Sequence, residues 1–202
     1  MTGITTFVEG ENFNHRLLWF VVKRQLEHGI SKPQGAFHDD LVAMVFALHS
    51  MEAYLNFIGE RLAPDVWAKE REFFSKAPYR GFAGKMKKVL ELVQLEEPAK
   101  DQRPYSTVWL LKNLRDQIAH PKTERYSFTT QQPPDHDIRA FYVAPFQGLV
   151  TRANAEMAYE DIEGFADTIH ELARPKLKDV IVGDKAFRGM LSLGSGSTNV
   201  AG

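Results

Sequence analysis

Residues 37–62 read FHDDLVAMVFALHSMEAYLNFIGERL, and this stretch decides the fold class. Its apolar residues recur at alternating steps of three and four, so they share one side of a helix, whereas a strand would need a two-residue alternation. Pro64 follows directly and limits the helix. The stretch therefore predicts a long core helix whose inward side chains are Leu41, Met44, Leu48, Met51, Leu55, Ile58 and Leu62.

Weaker helical periodicity continues on both sides of this segment. A first helix is predicted after a capping Asn12 or Asn14 and ends at Gly29. Pro121 disfavours helical geometry at His120, so a later helix is expected to stop there. Together the pattern predicts an all-α, up-down helical bundle of four to five helices. The remaining helices are expected at 85–95, 105–119 and 154–172, with a short one within 65–74. The predicted inward residues are Met86, Val89, Leu90 and Val93 in the first of these helices, and Met157, Ile162, Phe165, Ile169 and Leu172 in the last.

The 202-residue chain divides into three parts by composition. Residues 1–12 are expected to form an extended N-terminal arm, and 13–182 a single helical domain. Residues 183–202 are rich in glycine and serine and predict a flexible tail. An irregular insert at 122–150 shows partial alternation around a proline-containing loop, which is compatible with a small β-hairpin.

Composition excludes several classes of function. Lys and Arg number 25 against 26 for Asp and Glu, which excludes a general polyanion-coating protein. The chain has no cysteine, so disulfides, thiolate zinc sites and cysteine nucleophiles are excluded and a reducing compartment is indicated. The first residues lack the pattern of a signal peptide, and the early apolar run is too short to span a bilayer. We therefore expect a cytoplasmic protein with no membrane association. The sequence contains no phosphate-binding motif, so no cofactor is expected.

Residues 110–121, LLKNLRDQIAHP, hold the best candidates for chemistry. Arg115, the polar Asp116 and His120 resemble the R-x(4–6)-H signature of HEPN (higher eukaryotes and prokaryotes nucleotide-binding) domains. The stretch 48–56, LHSMEAYLN, is similar to the other core helix of that family, which often carries Glu and Asn. The resemblance covers about residues 37–172.

The resemblance implies a metal-independent endoribonuclease, often a homodimer that brings two motifs to one interface. His120 would act as general base or acid on the ribose 2′-hydroxyl and the leaving 5′-oxygen, and Arg115 would hold the scissile phosphate. Asp116 would orient His120 or the second chain's arginine. Glu52 is expected to pair with Arg115, with Asn56 beside it. RNA would be the substrate of a toxin or defence effector, with a cognate antitoxin or nucleotidyltransferase as partner.

Two alternatives stay open for these residues. An arginine near a helix end is usually solvated, and a histidine before proline is usually a helix cap. If Arg115 and His120 have only these roles, the protein is a non-catalytic HEPN-like module that dimerises or binds nucleotide, RNA or a protein. The basic run of Lys85, Lys87 and Lys88 predicts contact with an RNA backbone, although lysine-rich helix faces are often merely solvated.

Two pairs of residues, His49–Glu52 and Asp167–His170, have the spacing of metal ligands on helices. One pair is in reversed order, the other has Asp in place of Glu, and the extra inward glutamates of di-metal bundles are missing. We therefore expect no metal.

Overall fold

The structure is a computed structural model that describes residues 4–120, 123, 144–177 and 183–200. The part of the chain so described contains seven α-helices and two strands, which confirms the all-α helical bundle. Five of the helices are long, and two short ones follow the central helix. The elements are β1 Ile4–Asn12, α1 Asn14–Ser31, α2 Ala36–Leu62, α3 Pro64–Trp67, α4 Glu70–Phe73, α5 Gly81–Val93, α6 Tyr105–Ala119, α7 Arg152–Ala173 and β2 Ser192–Val200.

Helix α2 is the centre of the bundle and packs against α1, α5, α6 and α7. Of its predicted stripe, the five middle residues from Met44 to Ile58 are completely buried, and Leu41 and Leu62 are half-buried at its ends. By length and composition alone this helix is apolar enough to cross a membrane. Its apolar side is covered by four neighbouring helices, so α2 is the core helix of the bundle.

Helix α1 buries the face that carries Trp19. Trp19 is 4% exposed, whereas Leu17 is 50% exposed. Trp19 is stacked between Tyr159 of α7 and Phe187, with ring centroids 5.0 and 4.5 Å away. Gly29 lies so close to the Arg152 side chain that any Cβ there would collide with it. These tertiary contacts, which local periodicity does not contain, decide which face of α1 is buried.

Three contacts fix the position of α6. Arg103 and Thr107, at the start of α6, donate hydrogen bonds to Asp161 in the middle of α7, and Tyr105 contacts Phe165 one turn further along. The start of α6 therefore lies beside the middle of α7.

The start of α7 lies beside the start of α2. Arg152 forms an ion pair with Asp40 of α2 at 2.9 Å, and His170 contacts Tyr54 further along both helices. Arg152 also donates to the Leu26 carbonyl near the end of α1. The end of α1 is therefore close to the starts of α2 and α7, and the start of α1 is at the opposite end of the bundle.

The two chain ends form an antiparallel ribbon, which we call the terminal ribbon. Strands β1 and β2 pair in register from Ile4 with Val200 to Asn12 with Ser192. The flexible tail predicted for 183–202 is therefore replaced by a strand at Ser192–Val200. Local sequence favours flexibility here because glycine and serine are poor strand formers, and the partner strand lies at the other end of the chain. The hairpin predicted within 122–150 lies outside the described residues.

The segment 183–191, which we call the strap, packs on the bundle before β2 begins. The Ala186 N–H donates to Asp167 of α7 at 2.9 Å, and the Phe187 ring is 6% exposed. Arg16 of α1 donates to the Met190 carbonyl at 2.9 Å. The packed domain therefore extends beyond the boundary at 182 that composition predicted.

Candidate functional site

Helix α6 ends where the proline rule predicts. Its last residue is Ala119, and His120 takes the C-cap position with φ −128° and ψ 51°. The His120 N–H donates to the Asp116 carbonyl at 3.1 Å, and the residue is exposed. The His120 imidazole makes no hydrogen bond to any other residue that the structure describes.

Asp116 lies between two cations on the same helix. Lys112 donates to Oδ2 at 2.6 Å and the Arg115 Nε donates to Oδ1 at 2.8 Å. The hydrogen bond from Lys112, with the two positive charges, lowers the pKa of Asp116 below its usual range. The carboxylate is therefore ionised at neutral pH and positions Arg115. Asp116 was predicted to orient His120, but within the described residues its carboxylate bonds Lys112 and Arg115 and not the His120 ring.

Glu52 pairs with a lysine and not with Arg115, so that expected pairing is wrong. Its carboxylate is 3.3 Å from the Lys85 Nζ, and Lys85 is also 2.6 Å from Glu70. Glu52 faces α5, while Arg115 lies near the end of α6. Asn56 accepts a hydrogen bond from the Trp67 indole at 3.3 Å. Both residues link α2 to the elements that follow it.

The predicted RNA-binding lysines are engaged with their own chain. Lys85 is 8% exposed, and its amine lies between Glu52 and Glu70. The amines of Lys87 and Lys88 each lie 5.5 Å from the centre of the Tyr79 ring. Lys88 also lies 3.6 Å from Glu91. This helix face therefore does not present three unengaged cations to a backbone of phosphates.

The residues considered as metal ligands have other partners. The His170 Nδ1 is 2.9 Å from the Tyr54 hydroxyl, and its Nε2 is 3.2 Å from the Gly183 carbonyl oxygen. This pairing fits a neutral ring that accepts from Tyr54 and donates to Gly183. Asp167 accepts from Ala186, and His49 is exposed on α2. Within the described ranges, no three His, Asp or Glu residues are grouped so that they would hold a metal ion.

A second histidine–arginine pair, which sequence reasoning missed, is buried at the start of α1. His15 and Arg16 are each 2% exposed. Burial lowers the pKa of His15 to about 3, and the charges of nearby arginines add to this effect. Burial also lowers the pKa of His170 and raises that of Tyr54.

The chain carries a signal that would have found this pair. The buried positions of α1 follow steps of four and three, and this stripe begins at a polar residue. A periodicity search that starts from apolar residues leaves that residue out. The stripe runs through His15, Trp19, Val22, Leu26 and Gly29.

The two histidine–arginine pairs are suited to different tasks. His15 is enclosed by aromatic rings, with the Phe57 centroid 4.5 Å and the Tyr54 centroid 5.5 Å away. An enclosed neutral imidazole stabilises packing and has no access to a substrate. His120 is exposed at the end of the helix that carries Arg115, and an imidazole needs such access to exchange a proton with a substrate.

Comparison with protein-family profiles, with curated proteins and with solved structures finds no match to this chain.

Proposed function

We propose that this protein is a metal-independent endoribonuclease of the HEPN type, acting in the cytoplasm as a toxin or defence effector. The supporting observation is the end of α6, where Asp116 holds the Arg115 guanidinium and the helix stops one residue before an exposed His120. Nothing in this arrangement needs a metal or a cofactor. A cognate antitoxin or a nucleotidyltransferase is the partner that such an activity calls for.

The proposed reaction uses the substrate's own 2′-hydroxyl as nucleophile. His120 takes the 2′ proton as the 2′-oxygen attacks phosphorus, and the bond from phosphorus to the 5′-oxygen breaks. The 5′-oxygen leaves with a proton from a second imidazole, that of His120 in another copy of the chain. Arg115 offsets the charge that grows on the phosphoryl oxygens. The products are a cyclic 2′,3′-phosphate and a free 5′-hydroxyl.

A non-catalytic module for dimerisation or for binding nucleotide, RNA or a protein is the second candidate. The observation that favours it is the engagement of the nearby cations: Arg115 and Lys112 both bond Asp116, and Lys85 is buried between two glutamates. RNA binding then has fewer unengaged cations to use. Loss of cleavage on substitution separates the two candidates.

The test is cleavage of a mixed single-stranded RNA in the presence of EDTA. General acid–base groups contribute about 100- to 10,000-fold, so His120→Ala is expected to lower the rate by at least about 100-fold. Arg115→Lys keeps the charge but loses the planar fork of the guanidinium, so its cleavage rate is expected to fall steeply as well. Asp116→Asn is expected to have a smaller effect because an amide oxygen still accepts from Arg115.

His49→Ala is the matched control, since His49 is an exposed histidine on a different helix. It is expected to cleave RNA at the wild-type rate. An intact RNA after incubation with wild type, or an equal loss for His49→Ala and His120→Ala, would contradict the proposed activity. An excess of inactive His120→Ala chains mixed with wild type is expected to lower the wild-type rate, because the proposed site needs His120 from both copies.

A further inference from the structure

A cavity with a volume of about 490 Å³ lies where α1, α7 and the strap meet. Small-molecule sites in proteins have volumes of roughly 300–1,000 Å³, so this cavity is large enough to hold a ligand. Its lining residues on α1 lie at helical spacings of three and four and therefore share one side of that helix. Arg115 and His120 are not among the described residues that line it, so the cavity is separate from the candidate site on α6.

The inner wall of the cavity is aromatic. Trp19 lies between Tyr159 and Phe187, and the plane of each of these two rings is within 17° of the indole plane. Trp19 and Phe187 are 4% and 6% exposed, so this part of the lining lies inside the fold. Aromatic rings pack favourably with other flat rings, either stacked or edge to face. The wall therefore favours a ligand with a flat apolar body.

The same wall contains a buried cation, Arg16. It is 2% exposed, and its Nη1 donates to the Met190 carbonyl at 2.9 Å. Two strap glycines with positive φ lie against the guanidinium: a Cβ at Gly189 would be 3.1 Å from Nη1, and one at Gly183 would be 3.4 Å from Nη2. Burial lowers the pKa of Arg16 because it disfavours the charged form, and an anion in the cavity would offset this effect. A guanidinium held in one position is suited to a planar anion such as a carboxylate.

The charges at the rim of the cavity favour an anion with a single negative charge. Lys23 and Arg188 line the cavity with side chains that are 60% and 69% exposed, and Glu163 is the one carboxylate among the described lining residues. Arg188 donates to Glu163 at 3.3 Å, so three cations, including Arg16, surround one carboxylate. This excess of positive charge attracts a monoanion, whereas Glu163 repels the second negative charge of a phosphate ester.

We propose that the cavity between α1, α7 and the strap binds a small aromatic carboxylate, with the carboxylate at Arg16 and the ring against the aromatic wall. The ligand then contacts two helices and the strap at once, so it stabilises the packing of the strap on the bundle. This site does not rest on the proposed function, because none of its residues takes part in the proposed cleavage. His120→Ala is expected to abolish cleavage and to bind the ligand as wild type does, so the two proposals fail separately.

Calorimetric titration at neutral pH compares three probes that have the same ring system and different charges. The probes are naphthoate, its neutral amide and the cation naphthylmethylammonium. We expect one naphthoate per chain with a dissociation constant below about 1 mM. The amide is expected to bind at least about 10-fold more weakly, because hydrogen bonds between ionised groups are roughly twice as strong as those between neutral groups. The cation is expected to bind more weakly still.

Lys23→Gln and Arg24→Gln are a matched pair, since they are neighbours on α1 and remove the same charge, but only Lys23 lines the cavity. Lys23→Gln and Arg188→Gln are each expected to weaken naphthoate binding about 3-fold, the size of an exposed ion pair, and Arg24→Gln is expected to leave it unchanged. Arg16→Lys keeps a cation but loses the planar fork between the two glycines, so its affinity is expected to fall at least about 10-fold. Its helical circular-dichroism spectrum is compared with that of wild type, and the comparison of Lys23→Gln with Arg24→Gln is decisive if the Arg16 variant is misfolded.

Four results would overturn the proposal. No heat of binding with naphthoate up to about 1 mM would mean that the cavity is not a ligand site. Equal affinities for the three probes would mean that the rings bind without any contribution from the cations. Tighter binding of naphthyl phosphate than of naphthoate would exclude a carboxylate as the preferred ligand. Equal losses for Lys23→Gln and Arg24→Gln would place the probe outside the cavity.

Discussion

The start of α1 and the end of α6 carry the same two residue types in opposite environments. At the start of α1, His15 and Arg16 are each 2% exposed. At the end of α6, His120 is exposed and the Arg115 side chain is 28% exposed. The first pair is in the core with Tyr54 and His170, and the second faces solvent beside Asp116. The comparison teaches that residue type alone does not separate a structural pair from a candidate for chemistry; burial does.

The largest expected difference between the two ends is in the free energy of unfolding of two arginine variants. Arg16→Ala removes a fully buried side chain, its hydrogen bond to the Met190 carbonyl and its contact with Phe13. We expect a loss of about 3 kcal/mol, since truncations that leave a cavity usually cost about 2–5 kcal/mol. Arg115→Ala is expected to change the free energy by less than about 1 kcal/mol. Urea denaturation measures both, and equal losses would contradict the comparison.

Acid is expected to destabilise the protein through the buried end. The pKa of His15 is about 3 in the folded protein, whereas a solvated histidine has a pKa of 6.5. The unfolded chain therefore takes up the proton first as the pH falls. The stabilising effect is complete above about pH 6.5 and is lost as the pH falls from there towards 3. Between pH 7 and pH 5 the expected loss from His15 is about 2 kcal/mol.

Denaturant titrations at pH 7 and pH 5 measure this loss. His15→Phe is expected to reduce the difference between the two pH values, since the ring is surrounded by Phe13, Phe57 and Tyr54. Part of the difference should persist, because burial also lowers the pKa of His170. His49→Gln, a change at an exposed histidine, should keep the wild-type difference, and an identical pH dependence in His15→Phe would exclude His15 as its source.

The smallest expected effect separates a structural lysine from a solvated one on α5. Lys85→Met leaves Glu52 and Glu70 without their shared cation and is expected to cost about 1 kcal/mol, a modest figure because Glu70 is 40% exposed. Lys87→Met is expected to stay within about 0.5 kcal/mol of wild type. Thermal melting and RNA binding are measured together. A Lys85→Met chain with unchanged melting and weaker RNA binding would restore the original prediction for this lysine.

The local pattern of apolar residues was sufficient to predict the bounds and the buried side of a helix where that helix has one clear apolar side. Helix α6 was predicted at 105–119 and occupies Tyr105–Ala119, because a proline limits each end. In α5, the predicted inward residues Met86, Val89, Leu90 and Val93 are all buried. In α7 the same reasoning placed Leu172 inside, yet it is 39% exposed, while Ala173 beside it is completely buried.

Within the candidate site, sequence reasoning identified residues better than their partners. It selected Asp116 to orient His120 or the arginine of a second chain, and Asp116 accepts a hydrogen bond from Arg115 of its own chain. It also assigned Glu52 to Arg115, whereas Glu52 bonds Lys85. The partner of a side chain depends on how far each helix is rotated about its axis. That rotation is set by packing against several helices at once, so a single periodic segment does not contain it.

The sequence by itself determined the helices, their apolar sides and the short list of residues that are candidates for chemistry. Each of these depends on spacing within a few turns, which the chain carries locally. Only the tertiary structure decided that His15 and Arg16 are buried, that Lys85 is enclosed by glutamates, and that a glycine-rich C-terminus forms a strand. These outcomes depend on contacts between residues far apart in the chain, and β1 and β2 are the clearest case because their pairing joins the two ends.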